Sequence, residues 1–459
     1  MRSTIIALGS NVGNRLDNIK RALSAIKALP TTRITDTSFV YETDSWPAGT
    51  RQAKFLNSAC RVDTLLPSQD LLYCLQRIEQ QIGRRPSHER WGPREIDLDI
   101  IASGSLEMRT DRLVLPHPLA HRREFVLRPL ADIDSRLRLP GQDRSVSDLL
   151  GDFPPSGIAR VVPVGGSVWR LGSRTYVMGI VNVTPDSFSD GGLFSTTELA
   201  AQAAIIQWNS GADIVDIGGQ STRPGADMVS VDEELSRVIP VIKKLRLLSP
   251  LTLISVDTFH ALVARRAVEA GAHMVNDVSG GTADPMMIET ISRLEVPFVC
   301  MHMRGDPKTM SSLNTYADLH QEITDELNGR VNACLNAGVY RHNVIADPGV
   351  GFSKNSMQNV KLLARRPDWV WPSLIGPSRK RFLGEITGKL NPRDRDFGTA
   401  AALAASIAAG YDIVRVHNVP AAVDVCRVAD SVWRRLDPPL PRSVADLSGR
   451  NAVALNPDV

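Results

Sequence analysis

Residues 89–100 read ERWGPREIDLDI, and the alternation in their second half decides how the first third of the chain folds. In a strand, successive side chains face opposite sides of the sheet, so Ile96, Leu98 and Ile100 line one face. Asp97 and Asp99 then share the other, roughly 6–7 Å apart along the strand. Two carboxylates that close on a half-buried surface repel each other unless a positive charge sits between them. Two readings follow from the pair alone: a solvated edge strand with an acidic outer face, or a divalent-cation site.

Upstream, TIIALGSN (4–11) is a strand pattern closing on Gly-Ser-Asn, and RLDNIKRALSAIKAL (15–29) has apolar residues at helical spacing. TRITDTSFVYET (32–43) and KFLNSACRVDT (54–64) alternate as strands. PSQDLLYCLQRIEQQIG (67–83) is an amphipathic helix opened by Pro67 and closed by Gly83. With EIDLDII as the last strand the order is βαββαβ, the α+β ferredoxin-like arrangement of one antiparallel sheet with helices on one face. Residues 150–173 are rich in Gly, Pro and Ser and read as a linker or a leading hairpin.

Beyond that point the rhythm changes. Short apolar runs recur, each closing on a polar or Gly-rich loop: VMGIVNVTP (177–185), DIVDIGG (213–219), LISVDT (253–258), MVNDVSG (274–280), FVCMHM (298–303), VIADPGVGF (344–352), SLIGPSRK (373–380) and DIVRVHNV (412–419). Most are separated by enough sequence for a helix, such as LAAQAAIIQWNSGA (199–212). Eight such units predict an α/β (β/α)8 TIM barrel, whose strand ends build the active site. The polar residues there are Asn182, Asp216, Asp257, Asn276, His302, Asp347, Ser378, Arg415 and His417. Any one of them could be a helix cap; a set spread over eight strand ends points to a site. The expected domains are 1–155, a linker at 156–171, the barrel at 172–436, and a loosely ordered polar tail at 437–459.

The 459 residues exceed one ordinary core. A net charge of +3 is close to balanced and gives little support for a nucleic-acid or membrane partner. No window holds the roughly 18 consecutive apolar residues of a membrane span, and the N-terminus enters a strand pattern without a leader-like stretch. Five scattered cysteines, with no CxxC, read as reduced thiols of a cytoplasmic protein.

Mg²⁺ takes one or two carboxylates and completes its shell with water and phosphate oxygens. Arg84, Arg85, Arg90, Arg94, Arg112 and Arg123 surround the Asp97/Asp99 pair in sequence, which favours a polyphosphate held between metal and guanidinium groups. Trp91 and Phe125 offer flat faces for a planar ring. In the barrel, GPSRKRFLG (376–384) and RVHN (415–418) end strands seven and eight, where barrels often bind phosphate; Arg379, Lys380, Arg415 and His417 would form a cationic cup. Asp257, Asn276 and Asp347 could face a heterocycle that carries both donors and acceptors, since a guanidine-like edge calls for a carboxylate. Met301, Met303 and Phe352 read as pocket lining and core.

The segments GSN (9–11), FLN (55–57), RIEQQIGR (77–84), RWGPREIDLDI (90–100) and LPHP…RREF (115–125) resemble 6-hydroxymethyl-7,8-dihydropterin pyrophosphokinase over residues 4–150. The resemblance implies diphosphate transfer from ATP to the pterin hydroxymethyl group, with release of AMP. It implies that Asp97 and Asp99 hold two Mg²⁺ ions and that Arg84 and Arg94 stabilise the moving phosphoryl charge. Gln76, Glu79, Arg90, Arg112, His117 and Arg123 would contact ATP; Thr43, Asn57, Trp91 and Phe125 would hold the pterin. Residues 172–436 resemble dihydropteroate synthase through MGIVNVTPDSFSDGG, DIGGQSTRPGA, SVDT, VNDVSG, MHMRGDPKTM, DPGVGFSKN, GPSRKRFLG and RVHNV. That implies attack of p-aminobenzoate on the pterin methylene carbon as diphosphate leaves. Asn182 would hold one Mg²⁺ on the diphosphate, with Arg415 and His417. Asp257, Asn276, Asp347 and Lys380 would grip the pterin, with Thr222 also at the pterin diphosphate. Thr222, Phe188, Arg223, Pro224 and Ser378 would shape the aminobenzoate side.

The pattern has departures. No proline follows Thr43, Phe55 stands where a Tyr is also seen, Gln220 replaces the usual Glu, and Ser353 replaces a Gly. An RNA-binding sheet would need a run of aromatics on adjacent strands, which is missing. A pterin-binding methyltransferase barrel would not need the STRP and SRK loops. The expectation is a bifunctional folate-pathway enzyme acting on ATP, 6-hydroxymethyl-7,8-dihydropterin and p-aminobenzoate. It binds neither nucleic acid nor membrane, and resemblance to the barrel synthases allows a homodimer through the barrel.

Overall fold

The computed structural model describes residues 1–46, 52–84, 92–184, 196–221 and 228–434. The chain divides into two compact units, Met1–Arg170 with Leu335–Asn343, and Leu171–Cys334 with the chain from Val344 onward.

The first unit is built on an antiparallel sheet of β1 (Arg2–Ser10), β2 (Thr32–Thr37), β3 (Val40–Thr43), β4 (Phe55–Thr64) and β5 (Asp97–Ser103). A short β6 (Met108–Arg109) and β7 (Val114–Leu115) form a separate ribbon. Then β8 (Ala159–Val164) and β9 (Ser167–Arg170) follow, and the sheet order is β5-β1-β4-β3-β8-β9 with β2 also on β4. The stretch read as a linker or leading hairpin is a hairpin, and β8 pairs with β3. Helices α1 (Arg15–Lys27) and α2 (Ser68–Ile82) cover one face. Asn14 starts α1 by accepting the Asp17 N–H at 3.2 Å. Their core takes Ile6 and Leu8 of β1, Leu56 and Val62 of β4, and Ile96, Leu98 and Ile100.

Helices on one face only is not what the structure contains. The other face carries Ile5, Ala59, Ile101 and Ala102, and α3 (Glu124–Asp134) buries them with Val126, Leu127 and Leu130. A bulge lets one strand serve both cores. Ile6 pairs with Ile100 and Ile5 with Ala102, so Ile101 is the extra residue.

The second unit is a parallel barrel of β10 (Tyr176–Asn182), β11 (Ile214–Gly218), β12 (Ile254–Asp257), β13 (Met274–Asp277), β14 (Phe298–Met301), β15 (Val344–Asp347), β16 (Leu374–Ile375) and β17 (Ile413–Val416). Their order is β15-β14-β13-β12-β11-β10-β17-β16, and an Ala346–Ser373 bridge brings the two ends together. The strands are almost wholly buried, as parallel strands under helices must be. Parallel register then sets Asn182, Gly218, Asp257 and Asn276 side by side at the carboxyl ends of four consecutive strands. No described helix is long and apolar enough to cross a membrane.

Candidate active sites

In the first unit, Gly9 of β1 pairs with Asn57 on one side and Asp97 on the other, and Ala7 pairs with Asp99. Paired residues share a face, so the predicted pterin residue Asn57 and both aspartates stand on one face with only small side chains between them. That face is the one α3 closes further along, and α3 brings Phe125 with it. Asn57 Nδ2 donates to Thr43 Oγ1 at 2.8 Å, and both residues are buried.

Asp97 is held by two guanidinium groups, Arg84 at 2.8 Å on Oδ1 and Arg94 at 2.7 Å on Oδ2. Among the described residues no side chain forms an ion pair with Asp99. Burial and the neighbouring Asp97 raise its carboxyl to about 6, against the pull of Arg123, Arg94 and Arg84. A carboxylate strained in this way, beside a second one, fits a cation site. The described residues hold no cluster of three His, Cys, Asp or Glu, so water and phosphate oxygens would have to complete the shell, as Mg²⁺ accepts.

Glu79, expected at ATP, is buried. Its Oε1 takes the Leu98 N–H at 2.8 Å and pairs with Arg84. Burial raises this carboxyl to about 7, with Arg84 opposing. His117 Nδ1 accepts the Leu119 N–H at 3.2 Å, and burial together with Arg123 lowers its pKa to about 4. A neutral ring with Nδ1 accepting carries its proton on Nε2. Arg123 lies 4.5 Å from the Trp46 ring and 5.7 Å from Phe125; nothing in the sequence pattern pointed to the contact between Arg123 and Trp46. Gln76 and Arg112 are exposed. Arg85, Arg90 and Trp91 lie outside the described residues.

In the barrel, Arg415 reaches from β17 to two carboxylates, Nε to Asp216 Oδ2 and Nη2 to Asp257 Oδ2, both at 2.7 Å. Asn276 Nδ2 donates to the same Asp216 oxygen at 2.9 Å. Burial raises Asp257 to about 7, with Arg415 opposing. Burial also raises the Asp347 carboxyl, whose Oδ1 accepts the Gly349 N–H at 2.7 Å. Lys380 donates to the Val350 carbonyl and sits 4.6 Å from the Phe352 ring. Burial lowers its pKa to about 8, with Asp347 opposing. Gly351, at φ +80°, is what permits this approach, since a Cβ there would stand 2.7 Å from the Lys380 chain. His417 Nδ1 and Ser378 Oγ are 3.0 Å apart.

Of the expected cationic cup, Arg379 is turned aside. Its Nε pairs with Asp396 Oδ1 at 2.7 Å, and its φ of +57° puts the backbone in the left-handed region. His302 is also buried, between Lys354 at 3.0 Å and Glu326 at 3.0 Å. Asn182 stays half-exposed beside Gly218, where an added Cβ would stand 3.7 Å from Asn182 Oδ1 and 3.6 Å from Asp257 Oδ2. Oxygens of Asn182 and Asp257 thus flank the same Gly218 position, and oxygen donors of this kind suit a divalent cation that arrives with a diphosphate. Phe188, Thr222, Arg223 and Pro224 lie outside the described residues. Asp216 appeared in the sequence as one of nine polar strand-end residues; nothing local marked it as the hub of the network.

Two family descriptions match the chain: 7,8-dihydro-6-hydroxymethylpterin-pyrophosphokinase over residues 5–135 and pterin binding enzyme over residues 178–417. The mitochondrial folate synthesis bifunctional protein of Pisum sativum is 42% identical, covering 95% of this chain and 90% of its own. The folic acid synthesis protein fol1 of Pneumocystis carinii is 41% identical over 94% of this chain, which spans 60% of that longer protein. For the fold alone, a Plasmodium falciparum HPPK-DHPS crystal structure with pterin and p-hydroxybenzoate superposes with TM-score 0.81 at 21% identity, covering 98% of each chain. Magnesium dependence is general in both families. With a pyrophosphokinase match on the first unit and a pterin-binding match on the barrel, the chain belongs to the bifunctional folate synthesis family, pterin pyrophosphokinase and dihydropteroate synthase in one polypeptide.

Proposed function

We propose that the Asp97/Asp99 face transfers diphosphate from ATP to 6-hydroxymethyl-7,8-dihydropterin, releasing AMP, and that the barrel condenses the resulting ester with p-aminobenzoate to give 7,8-dihydropteroate and diphosphate. The observation that carries the first step is Asp97 and Asp99 on one face, ringed by Arg84, Arg94 and Arg123. Two Mg²⁺ bound by the aspartates would neutralise the phosphate oxygens of ATP. Arg84 and Arg94 now balance Asp97; with metal and nucleotide present they turn to the moving phosphoryl charge. His117, neutral with its proton on Nε2, donates to a phosphate oxygen. Asn57, Thr43 and Phe125 hold the pterin, with Trp91; Arg90, Arg112, Gln76 and Arg123 hold the nucleotide. Glu79 acts from below, fixing Arg84.

In the barrel, Asp257, Asn276 and Asp347 take the pterin ring, and Lys380, Arg415 and His417 draw charge from the departing diphosphate. Thr222, Phe188, Arg223, Pro224 and Ser378 shape the aminobenzoate side. One Mg²⁺ at Asn182 would stabilise the same leaving group. The C–O bond to diphosphate breaks, the C–N bond to the aminobenzoate nitrogen forms, and that nitrogen gives up its proton to solvent. Diphosphate leaves readily, so no covalent enzyme intermediate is required. The test is to incubate the full chain with ATP, the hydroxymethyl pterin and p-aminobenzoate, with and without Mg²⁺. Mg²⁺-dependent AMP and dihydropteroate support the reading; absence of AMP removes the first half of it, and AMP without dihydropteroate removes the second.

The barrel in this reading also forms a homodimer. Leu390 and Phe397 are 92% and 93% exposed, and Ile386, nearby in sequence, is exposed too; a subunit contact would cover apolar side chains of this kind. Light scattering on the chain and on Phe397→Asp tests this. Five cysteines without a disulfide fit a reducing, cytoplasmic compartment; imaging of the tagged chain against organelle markers tests that.

A further inference from the structure

Arg415 and Asn276 both project toward the barrel interior from strands on different sides of it, and neither is fixed by its own backbone neighbours. Asp216, fully buried on β11 between them in strand order, meets both through one oxygen: Arg415 Nε at 2.7 Å and Asn276 Nδ2 at 2.9 Å. Arg415 then has Nη2 left for Asp257 at 2.7 Å. Asp216 sits two residues below Gly218, in register with Ser255 and one step deeper than the row formed by Asn182, Asp257 and Asn276. Its Oδ2 is taken up by the Arg415 and Asn276 side chains. Long polar side chains hold a productive geometry only when supporting groups lock them.

We propose that Asp216 is the positioning residue of the synthase site, aiming the Arg415 guanidinium at the diphosphate and the Asn276 amide at the pterin without touching either ligand. Without it, Arg415 keeps only its contact with Asp257, and neither the guanidinium nor the Asn276 amide is held from below. The inference rests on the assignment of Arg415 and Asn276 to the ligand. The coupling between Asp216 and Arg415 separates it from a merely structural role.

The experiment is a double-mutant cycle in the full chain, with Asp216→Asn, Arg415→Ala and both together. Dihydropteroate formation is measured from supplied pterin diphosphate and p-aminobenzoate. AMP formation by the other unit and thermal melting serve as controls for folding. The expected result is a loss of about 30-fold in kcat/KM for Asp216→Asn, mostly in kcat, shrinking to about two-fold or less in the Arg415→Ala background. An effect of Asp216→Asn that is equally large in both backgrounds overturns the proposal, as does a harmless Asp216→Asn beside a crippling Arg415→Ala. A harmless Arg415→Ala instead overturns the assignment of the site beneath it. If Asp216→Asn does not fold, Asp216→Glu, which keeps the charge and displaces it by one methylene, takes its place in the same cycle. A loss that shrinks in the Arg415→Ala background then supports the proposal, and an equal loss in both backgrounds overturns it.

Discussion

At the scale of single residues, Ser353 stands where a glycine is usual, at φ +45°. A left-handed conformation costs a non-glycine residue about 1 kcal/mol. The side chain offsets this by accepting the Arg304 N–H on Oγ at 2.9 Å, a bond contributing about 1 kcal/mol. Ser353→Gly, which relieves the backbone and loses the bond, should therefore leave the barrel's unfolding midpoint nearly unchanged. Ser353→Ala, which loses the bond without relief, should cost about 1 kcal/mol; equal effects of the two in chemical unfolding would show the balance is misjudged. Glu79 supplies a pH signature. Its carboxyl is raised to about 7 in the fold, so between about 4.5 and 7 the folded state holds a proton that the unfolded chain has released. Stability of the first unit should then fall as pH rises through that window, by on the order of 1–3 kcal/mol. In Glu79→Gln the slope should flatten, and a slope unchanged in melting curves from pH 4.5 to 7.5 would count against this. Asp97 and Asp99 were legible because a period of two is visible in six residues. The role of Asp216 was not, because its partner Arg415 is 199 positions away.

At the scale of elements, the strands and helices with clear periodicity were readable: β1, β4, β5, α1, α2 and the eight barrel strands, whereas residues 32–43, read as one strand, are two, β2 and β3, each paired with β4. α3 was not readable. Its sequence, EFVLRPLADID, carries Pro129 in its interior, a residue that ordinarily ends a helix, and a second apolar face on the sheet is what calls for it. A polar tie between α3 and the sheet is Asp132, which accepts the Tyr41 hydroxyl at 2.9 Å and the Phe39 N–H at 3.0 Å. Since α3 carries Phe125, losing this tie should reach the pterin site. Asp132→Ala is expected to destabilise the first unit by about 2 kcal/mol and to raise KM for the hydroxymethyl pterin more than KM for ATP. A uniform loss in both would mean that α3 does not position the ring. The β8–β9 hairpin was ambiguous in sequence because Gly165 and Gly166 serve a linker and a turn equally well. Pairing with β3 decides it.

At the scale of the whole molecule, two units with unrelated architectures carry consecutive steps, and the product of one is the substrate of the other. Each unit matches a family description of its own, and the intermediate is expected to pass between them through solvent. A trap for the free diphosphate ester should then suppress dihydropteroate while leaving AMP formation intact; an insensitive reaction would contradict that expectation. The central claim is that the acidic face of β5 drives the first reaction and the barrel alone completes the second. The most direct test quantifies AMP and dihydropteroate together for the native chain and for Asp97→Ala, with and without added pterin diphosphate. Asp97→Ala is expected to lose AMP formation by about 100-fold or more, with dihydropteroate lost beside it and restored to the native level by the added ester. AMP formation that survives Asp97→Ala, or dihydropteroate that the ester does not restore, would contradict it.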